Sequence, residues 1–554
     1  MMKHRNSLFR DDLVRDSLFL VATLIILFWP FVIHGGFLRD DLGLLAYPPR
    51  TTTYRHYQAL MSSQPTMTGR PVSALMHGIC GWTFGTTAWP YHLVNLTLFG
   101  TTVLLVFHAL TRILPRRVAL MTACFAIVYP CAAGSVYSSI MMNSNLAGCC
   151  WAGSLFIATL PGWSPWRGPA SAALLLLSAL SYEAFVPLFL TTVLVRYRIA
   201  PLQSLSWRGV IGPIIPVVAA LLLYGVYHAA IEPVLFGASY SRVSIPVPAE
   251  LARRLLSAAF WGTKVAGIDS LRITIKSIRY VTALPVATLL MPSLWLVVIG
   301  SLLVSAFSSG ATDAPSPEAL PGEGPQGTTA VTIRPGAQMP LIGCLVFLTA
   351  QSIFVFSDYT PQSWGFENRT QVGVRFAVAF LVAVLVDRLL RLPGKASCRW
   401  VAMAAIALLG SFFLAMVAQR EAWIAAARFN DRSLHRVERA IRAHGLDRGP
   451  ALTILTALPA SFPGQLNHEP IFGVSWDIGA ALSLAFPTID IRANVPVPTR
   501  TVVSDEGVTI DRTWVATFPC HVYSDETESI QTISSSDEWR RLSTTPAVGG
   551  TGGR

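Results

Sequence analysis

Long apolar segments recur along the whole chain, and they constrain the fold more than any other feature of the sequence. Of the 554 residues, 52% are hydrophobic and only 13% are charged, whereas about a quarter of the residues of a soluble domain are charged. A helix needs roughly seventeen or more apolar residues to cross a bilayer, and many windows of this chain qualify. Period-two alternation is not evident, which argues against a transmembrane barrel. We therefore expect an all-α polytopic membrane protein.

The apolar segments predict about eleven spanning helices. Residues 1–16 are polar, and no small-residue cleavage site follows the first apolar segment. That segment is expected to be an uncleaved signal anchor rather than a secretory peptide. The segment 71–84 is expected to be a short helix in the membrane interface. The predicted spans are residues 17–33, 91–110, 118–129, 136–160, 170–180, 184–195, 210–230, 281–307, 341–356, 372–390 and 401–417.

The composition changes at two places, and these changes predict the domain organisation. Residues 1–418 are expected to form the transmembrane domain, interrupted by a Gly-, Pro-, Ser- and Thr-rich flexible cytoplasmic linker at 308–340. Residues 419–542 are expected to form a small α/β domain outside the cytoplasm, with a helix at 421–444 and a strand at 451–458. The Gly/Thr-rich tail 543–554 is expected to be disordered.

Basic residues in the connectors predict the orientation in the membrane. They concentrate at 112–117, 196–208 and 388–399, and cytoplasmic connectors carry such an excess. A cytoplasmic N-terminus and about eleven spans place all three connectors inside. The same count places the C-terminal domain and every candidate site residue named below on the opposite face. We expect a multi-pass protein of a bacterial inner membrane whose C-terminal domain is periplasmic.

Net charge and cysteine content exclude other classes of function. The formal charge of +12 arises from short connectors between apolar segments, and no basic-aromatic motif of a nucleic-acid module is present, so nucleic acid is not an expected partner. Of eight cysteines, only Cys520 lies in the polar C-terminal region. This distribution does not suggest a disulfide framework. The spacing of Cys and His residues fits no zinc site.

The adjacent carboxylates of Asp40 and Asp41 are the first candidate site. They follow the first predicted span directly, and charges at a membrane edge are costly unless water, a cation or a substrate meets them. One interpretation is a general base or a metal ligand at the outer face, with a pKa adjusted by burial and nearby arginine. The alternative is a helix N-cap or a solvated pair of loop residues.

Four further residues are candidates for substrate binding. Arg70 and Arg369 are able to bind a phosphate in bidentate fashion, or they extend to lipid headgroups at the interface. His92 is a candidate hydrogen-bond donor to phosphate or acceptor, or a histidine satisfied between helices. Glu183 stands at a predicted helix start, where the dipole favours a carboxylate. Its alternative roles are to orient Arg70 or to bind substrate.

The order and spacing of four short motifs resemble a known superfamily. The motifs are Asp40-Asp41, the G-R-P step at 69–71, Y-H-L-V-N at 91–95 and S-Y-E-A-F-V-P at 181–187. Together they resemble the integral-membrane glycosyltransferases of the GT-C superfamily, which include protein O-mannosyltransferases and the aminoarabinose transferases of lipid A. The resemblance covers roughly residues 17–190 well and the remainder only by general layout.

The resemblance implies a GT-C-like fold and a transferase that uses a polyprenyl-phosphate-linked sugar as donor. In such families the first-loop acid acts as base toward the acceptor or binds a divalent cation. Carried over by position, Asp40 is the first choice for that role and Asp41 the second. The chain departs from the pattern at 130–135, where many relatives carry an acidic residue and this sequence has none.

The expected function is therefore transfer of a sugar from a lipid-phosphate donor to a glycan, lipid or protein at the periplasmic face. The polyprenyl phosphate leaves without a nucleotide, in agreement with the absence of a Gly-rich phosphate-binding loop. One alternative is a non-catalytic transporter or scaffold for lipid-linked sugars, which should carry ionisable residues at mid-membrane and paired internal repeats. Another is an O-antigen polymerase or ligase, which relies on a large outer loop rich in Arg and His.

Overall fold

The computed structural model describes most of the chain. The described residues are 2–46, 53–160, 164–199, 212–237, 246–309, 338–357, 359–392, 395–459, 461–462, 464–472, 475–496, 501–510 and 513–544. Nearly all of the predicted linker at 308–340 and of the predicted disordered tail lies outside these ranges.

Helices form most of the described chain as far as Ala443. All eleven apolar segments that were expected to span are mainly helical where they are described, with short breaks in some, as at 138 and 282–285. The helical segments are Met2–His34, Asp40–Leu45, Thr53–Ser63, Pro65–Thr68, Pro71–Phe84, Ala88–Leu110, Arg116–Val128, Pro130–Ala132, Gly134–Tyr137, Ser139–Met141, Met142–Ala158, Arg167–Ser181, Glu183–Leu188, Phe189–Ile199, Ile215–Val226, Tyr227–Ile231, Glu232–Phe236, Pro248–Lys264, Val265–Asp269, Ser270–Val281, Val286–Ser309, Gln338–Gln351, Ile353–Phe356, Phe366–Gln371, Val374–Leu390 and Lys395–Ala443.

Six helices within the described ranges are long and apolar enough to cross a membrane, so the chain is a multi-pass membrane protein. The other apolar helices of the described ranges have at most 17 residues, and the number eleven stays a prediction. The six candidate spans are Asp11–His34, Ala88–Leu110, Ile215–Phe236, Val286–Ser305, Met339–Phe356 and Cys398–Ala443.

One boundary expected from the sequence is wrong. The predicted span 401–417 and the predicted soluble helix 421–444 are a single helix, Lys395–Ala443, of 49 residues. No proline interrupts it, and Arg420, at the expected break, pairs with Glu421 and donates to the carbonyl oxygen of Ile26. At 1.5 Å per residue the helix is about 70 Å long, whereas the hydrocarbon core of a bilayer is about 30 Å thick. The helix therefore extends well beyond one span.

Two arginines of the first basic connector are engaged in ion pairs. Arg116 Nε donates to Asp16 Oδ2 over 2.6 Å, and Arg117 Nε donates to Asp387 Oδ1 over 2.5 Å. Both aspartates are buried. These arginines thus join the first helix and the helix Val374–Leu390 to the start of Arg116–Val128, besides contributing to the charge of the connector.

The described chain divides into two compact units. The larger comprises residues 1–34 and 50–422, and the smaller comprises residues 35–49 and 423–554. The first polar loop therefore groups with the C-terminal residues, which the sequence did not suggest. In the smaller unit Leu42 is buried in one apolar core with Val437, Ile454 and Ile478.

The smaller unit contains a strand region. A four-stranded sheet has the order Asp490–Asn494, Ala451–Ala457, Cys520–Ser524, Ser529–Ile533, and its first three strands are parallel. The helix Ser475–Ala485 precedes its edge strand. A three-stranded antiparallel sheet contains Thr501–Val503, Gly507–Ile510 and Thr513–Thr517. Alternating burial along Asp490–Asn494 fits a sheet with one covered face.

Candidate functional site

Arg70 and Glu183 form a bidentate ion pair in the larger unit. Arg70 Nε donates to Glu183 Oε2 over 2.9 Å, and Arg70 Nη2 donates to Glu183 Oε1. The side chains are only 12% and 16% exposed. The guanidinium also lies over the ring of Tyr182, 4.4 Å from its centroid. Two parallel hydrogen bonds and a stacked ring fix the plane of a guanidinium more firmly than a single contact does.

The local sequence places both charges at helix starts. Arg70 precedes the helix Pro71–Phe84, and proline at the first helical position needs no hydrogen bond there. Glu183 begins the short helix Glu183–Leu188, where the helix dipole favours a carboxylate. Ser73 Oγ donates to the carbonyl oxygen of Ser181 over 2.6 Å, so the two helix starts are joined beside the ion pair.

A second polar group contacts the segment immediately before Arg70. Glu232 is 0% exposed, and its Oε1 accepts a hydrogen bond from Thr68 Oγ1 over 2.7 Å. Its Oε2 lies 2.7 Å from His228 Nδ1. The hydroxyl of Tyr227 donates to the Thr68 carbonyl oxygen over 2.5 Å. Glu232 and His228 belong to a candidate span. Ionisable side chains are costly in such a segment, so they are expected to have partners or a function there.

Sequence analysis missed this second group. His228 lies within the predicted span 210–230, and Glu232 lies just beyond it. The available signal was a pair of ionisable residues at i and i+4 in an apolar segment, since that spacing puts both on one helix face.

The Y-H-L-V-N motif has a structural role through its asparagine. Asn95 Nδ2 donates to the carbonyl oxygens of Val136 and Ser138 over 2.9 and 3.1 Å, and Asn95 Oδ1 accepts from Asn145 Nδ2 over 2.7 Å. His92 is buried, with its ring edge-on to Phe31 at 4.8 Å. The motif therefore orders the loop at 130–138.

The segment of Arg369 contacts the same loop. Asn368 Oδ1 accepts a hydrogen bond from the Gly134 N–H over 2.7 Å. Arg369 is half-buried, and its guanidinium lies 3.8 Å from the centroid of the Phe366 ring. A side chain at Gly373 would come within 3.0 Å of the Ala184 carbonyl oxygen, so the backbone after Arg369 lies against the helix that begins at Glu183.

Arg375 is a buried arginine that the sequence analysis passed over. It is 0% exposed; its Nη2 donates to the Ala132 carbonyl oxygen over 2.5 Å, and its guanidinium lies 4.6 Å from the centroid of the Phe99 ring. No carboxylate of the described residues pairs with it. The available signal was again an ionisable residue inside a predicted span.

Asp40 and Asp41 belong to the smaller unit, and the other four candidates belong to the larger one. Asp41 is 1% exposed, and its Oδ2 accepts the Leu38 N–H over 3.0 Å. This bond ties the first turn of the helix Asp40–Leu45 to the chain just before its N-cap residue, Arg39. Asp40 is half-buried. Asp41 therefore has a structural task, and Asp40 is the more accessible of the two carboxylates.

The divalent cation expected at this aspartate pair stays a prediction. Within the described ranges, no group of three or more His, Cys, Asp or Glu residues is arranged to hold a metal ion, and one oxygen of Asp41 already accepts a backbone hydrogen bond. No chemical step is assigned to a cation here.

Comparison with known proteins identifies no family. No family model matches the chain, and no curated protein sequence matches it. Among solved structures, ArnT from Cupriavidus metallidurans bound to undecaprenyl phosphate is similar at 14% identity and a TM-score of 0.36, covering 86% of this chain and 89% of that one. Its apo state has a TM-score of 0.31 at the same identity, covering 86% and 88%. Since TM-scores below 0.5 do not establish a common fold, the function is argued from the residues of this chain.

Proposed function

We propose that this chain is a membrane glycosyltransferase that moves a sugar from a polyprenyl-phosphate donor to a glycan, lipid or protein acceptor at the periplasmic face. The observation that carries the proposal is the Arg70–Glu183 pair, a nearly buried guanidinium fork in an apolar helical unit. A guanidinium matches the geometry of phosphate oxygens, and partial exclusion of water strengthens their attraction. A donor phosphate would compete with Glu183 for Arg70.

An apolar cavity supports a lipid-linked donor. It has a volume of about 200 Å³, and its walls include Leu110, Trp151, Leu155 and Phe376. Leu188 also lines it and ends the short helix that begins at Glu183. The hydrophobic effect favours an isoprenoid chain over a polar ligand in such a cavity. The helix Glu183–Leu188 thus carries a group of the proposed phosphate site at one end and a wall of the cavity at the other.

The proposed chemistry needs one base and one stabiliser of the leaving group. Asp40 takes the proton from an acceptor hydroxyl, whose oxygen then attacks the anomeric carbon of the sugar. The bond between that carbon and the phosphate oxygen breaks, and the polyprenyl phosphate leaves with the electron pair. Arg70 stabilises the charge that develops on the phosphate. Arg369 and His92 remain proposed substrate ligands.

Binding of undecaprenyl phosphate, the lipid in the solved ArnT structure, tests the phosphate site. The full chain in lipid nanodiscs is titrated with undecaprenyl phosphate and, separately, with undecaprenol, which has the same isoprenoid chain without the charge. We expect a clear preference for the phosphate and its loss in Arg70→Gln. Equal affinity for the two lipids in the wild-type protein would exclude a lipid-phosphate site.

A specific observation also favours the transporter alternative. Ionisable side chains inside membrane segments are expected of transporters, and Glu232 and Arg375 are such residues, both 0% exposed. Reconstituted vesicles that hold a panel of undecaprenyl-phosphate sugars separate the two functions. Release of undecaprenyl phosphate together with a glycosylated acceptor supports the transferase, whereas movement of an intact lipid-linked sugar between leaflets supports transport.

A further inference from the structure

We propose that Glu232 and His228 position Arg70 by holding the turn that contains Thr68, and that this turn determines how strongly the site prefers a lipid phosphate to the neutral lipid. The inference rests on the proposed function, because it assigns the guanidinium of Arg70 to phosphate. Glu232, His228 and Thr68 are positioning residues in this proposal. They act through Arg70 and do not contact the phosphate.

The turn at 67–70 is bound from one helical segment at two points. Glu232 Oε1 accepts from the Thr68 hydroxyl, and the Tyr227 hydroxyl donates to the Thr68 carbonyl oxygen. The Arg70 N–H donates to the Met67 carbonyl oxygen over 3.0 Å, so the backbone of Arg70 belongs to the same turn. A shift at Thr68 would therefore move the base of the Arg70 side chain.

The guanidinium at the other end of Arg70 is held independently by Glu183. Arg70 thus has its backbone fixed through Glu232 and its charged group fixed through Glu183. Loss of the Glu232 contact leaves the ion pair intact but permits the base of the side chain to move. A displacement of a binding group by even about 1 Å is costly for a site built on geometry.

The buried carboxylate of Glu232 is stabilised by named donors. An uncompensated charge in a membrane segment costs several kcal/mol, and here Thr68 donates to one oxygen while His228 Nδ1 faces the other at 2.7 Å. A carboxylate satisfied on both oxygens requires that Nδ1 carry the proton. The other ring nitrogen of His228, Nε2, is buried and has no hydrogen-bond partner within the described ranges.

The helical segment that carries these contacts has π geometry at Tyr227 and His228 and α geometry again from Glu232. The π turn Tyr227–Ile231 interrupts the candidate span immediately before Glu232, and π turns inside α-helices are frequently found at functional sites. The Tyr224 ring is edge-on to His228 at 4.5 Å, and the Tyr227 ring is edge-on to it at 5.3 Å. The imidazole of His228 is thus held by aromatic rings of its own helix as well as by Glu232.

The experiment compares lipid preference in the full chain, again in nanodiscs with undecaprenyl phosphate and undecaprenol as probes. Thr68→Val removes the hydroxyl at nearly constant size, and Thr68→Ser restores it. Glu232→Gln keeps the size of the side chain and removes its charge. Glu250→Gln is the matched control, because Glu250 is partly exposed and pairs locally with Arg254.

We expect Thr68→Val, which removes the buried hydrogen bond, and Glu232→Gln, which removes the charge that strengthens it, to lower the preference for undecaprenyl phosphate about five- to tenfold. Affinity for undecaprenol should not change, and Thr68→Ser and Glu250→Gln should behave like the wild type. Rescue by serine and constant undecaprenol binding distinguish positioning from general damage to the fold.

Two results would overturn different claims. If the wild-type protein binds both lipids equally, the proposed function fails, and the positioning role fails with it. If the wild type prefers the phosphate and Arg70→Gln abolishes that preference while Thr68→Val and Glu232→Gln retain it in full, only the positioning role is wrong. Should Thr68→Val not fold, Glu232→Gln decides alone.

Discussion

Arg70 and Glu183 contact each other through two hydrogen bonds, although 113 residues separate them in the chain. Each charge lies where little water reaches it, so each depends on the other for its stabilisation. Removal of one partner of a buried ion pair lowers the stability strongly, because the other charge is left without compensation. Replacement of both partners by apolar side chains costs much less stability. Stability measurements therefore report on this pair independently of any activity.

Stability of the Arg70–Glu183 pair is tested by a double-mutant cycle. Arg70→Gln and Glu183→Gln should each lower the free energy of unfolding by about 2–3 kcal/mol, and the double variant should lose clearly less than the sum. The exposed pair Arg540–Asp537 is the control, with an expected coupling below about 0.5 kcal/mol. Thermal unfolding in detergent is the measurement, and additive effects of Arg70→Gln and Glu183→Gln would contradict the prediction.

The two adjacent aspartates should respond differently to removal of charge. Asp41→Asn should destabilise the smaller unit by about 1–2 kcal/mol, because Asp41 is buried and accepts the Leu38 N–H. Asp40→Asn should leave stability unchanged and slow sugar transfer about 10²- to 10⁴-fold, as expected for loss of a general base.

Release of undecaprenyl phosphate from a sugar-linked donor measures the rate in these aspartate variants, and unfolding curves measure stability. If Asp41→Asn is stable but inactive while Asp40→Asn is active, then Asp41 is the base and Asp40 is not. Full activity in a folded variant in which alanine replaces both aspartates would remove the pair from the mechanism.

Asn95 should be important for stability rather than for lipid binding. Its side chain bridges Asn145 to the carbonyl oxygens of Val136 and Ser138, and Asn95→Ala removes these three buried hydrogen bonds. We expect a loss of about 2–4 kcal/mol in unfolding free energy. Thr97→Val is the control on an exposed position of the same helix, with a change within about 0.5 kcal/mol.

The undecaprenyl phosphate preference of folded Asn95→Ala should equal that of the wild type. A lost preference at unchanged stability would instead place Asn95 in the binding site.

Acid should weaken the larger unit through His77. Burial lowers the pKa of His77 to about 4, an effect that the nearby His56 increases and a hydrogen bond with the Ile140 backbone opposes. Below about pH 6.5 the unfolded chain binds a proton that the folded chain does not accept until about pH 4, so stability falls as the pH falls through this window. The loss approaches about 3 kcal/mol at pH 4.

The measurement is the unfolding midpoint between pH 7 and pH 4. His77→Gln cannot take up the proton and should flatten this dependence, whereas substitution of the exposed His34 by Gln should not. An unchanged slope in His77→Gln would assign the acid sensitivity to other groups.

The local sequence anticipated much of the helical architecture. The short helix expected at 71–84 has those bounds, Pro71–Phe84, because Arg70-Pro71 starts a helix and Gly85 follows its end. The segment expected at 136–160 is broken into pieces before Met142, since Asn95 and Asn145 bind carbonyl groups of the preceding loop. Such bonds involve residues far apart in the chain, and apolar length alone does not reveal them.

The candidate site was anticipated only in part. Sequence analysis proposed that Glu183 orients Arg70, and the structure brings these two side chains into contact; their roles in binding stay predictions. It did not suggest that the loop of Asp40 groups with the C-terminal residues. Leu42 contributes to that grouping, because it is buried in one apolar core with Val437 and Ile478. The helix that carries it, Asp40–Leu45, has only six residues, which is too short for a periodic apolar pattern to be recognised in the sequence.

Apolar segments in the sequence are sufficient to predict a multi-pass helical membrane protein, because the length of an apolar segment is a local property that the bilayer thickness selects. The sequence also identifies the ionisable residues whose burial in apolar segments needs compensation, since charge in such a segment is local too. Which of these residues meet is visible only in the folded chain. Thr68 and Glu232 are 164 residues apart, and a hydrogen bond of that range depends on how helices pack, which the spacing of residues along the chain does not specify.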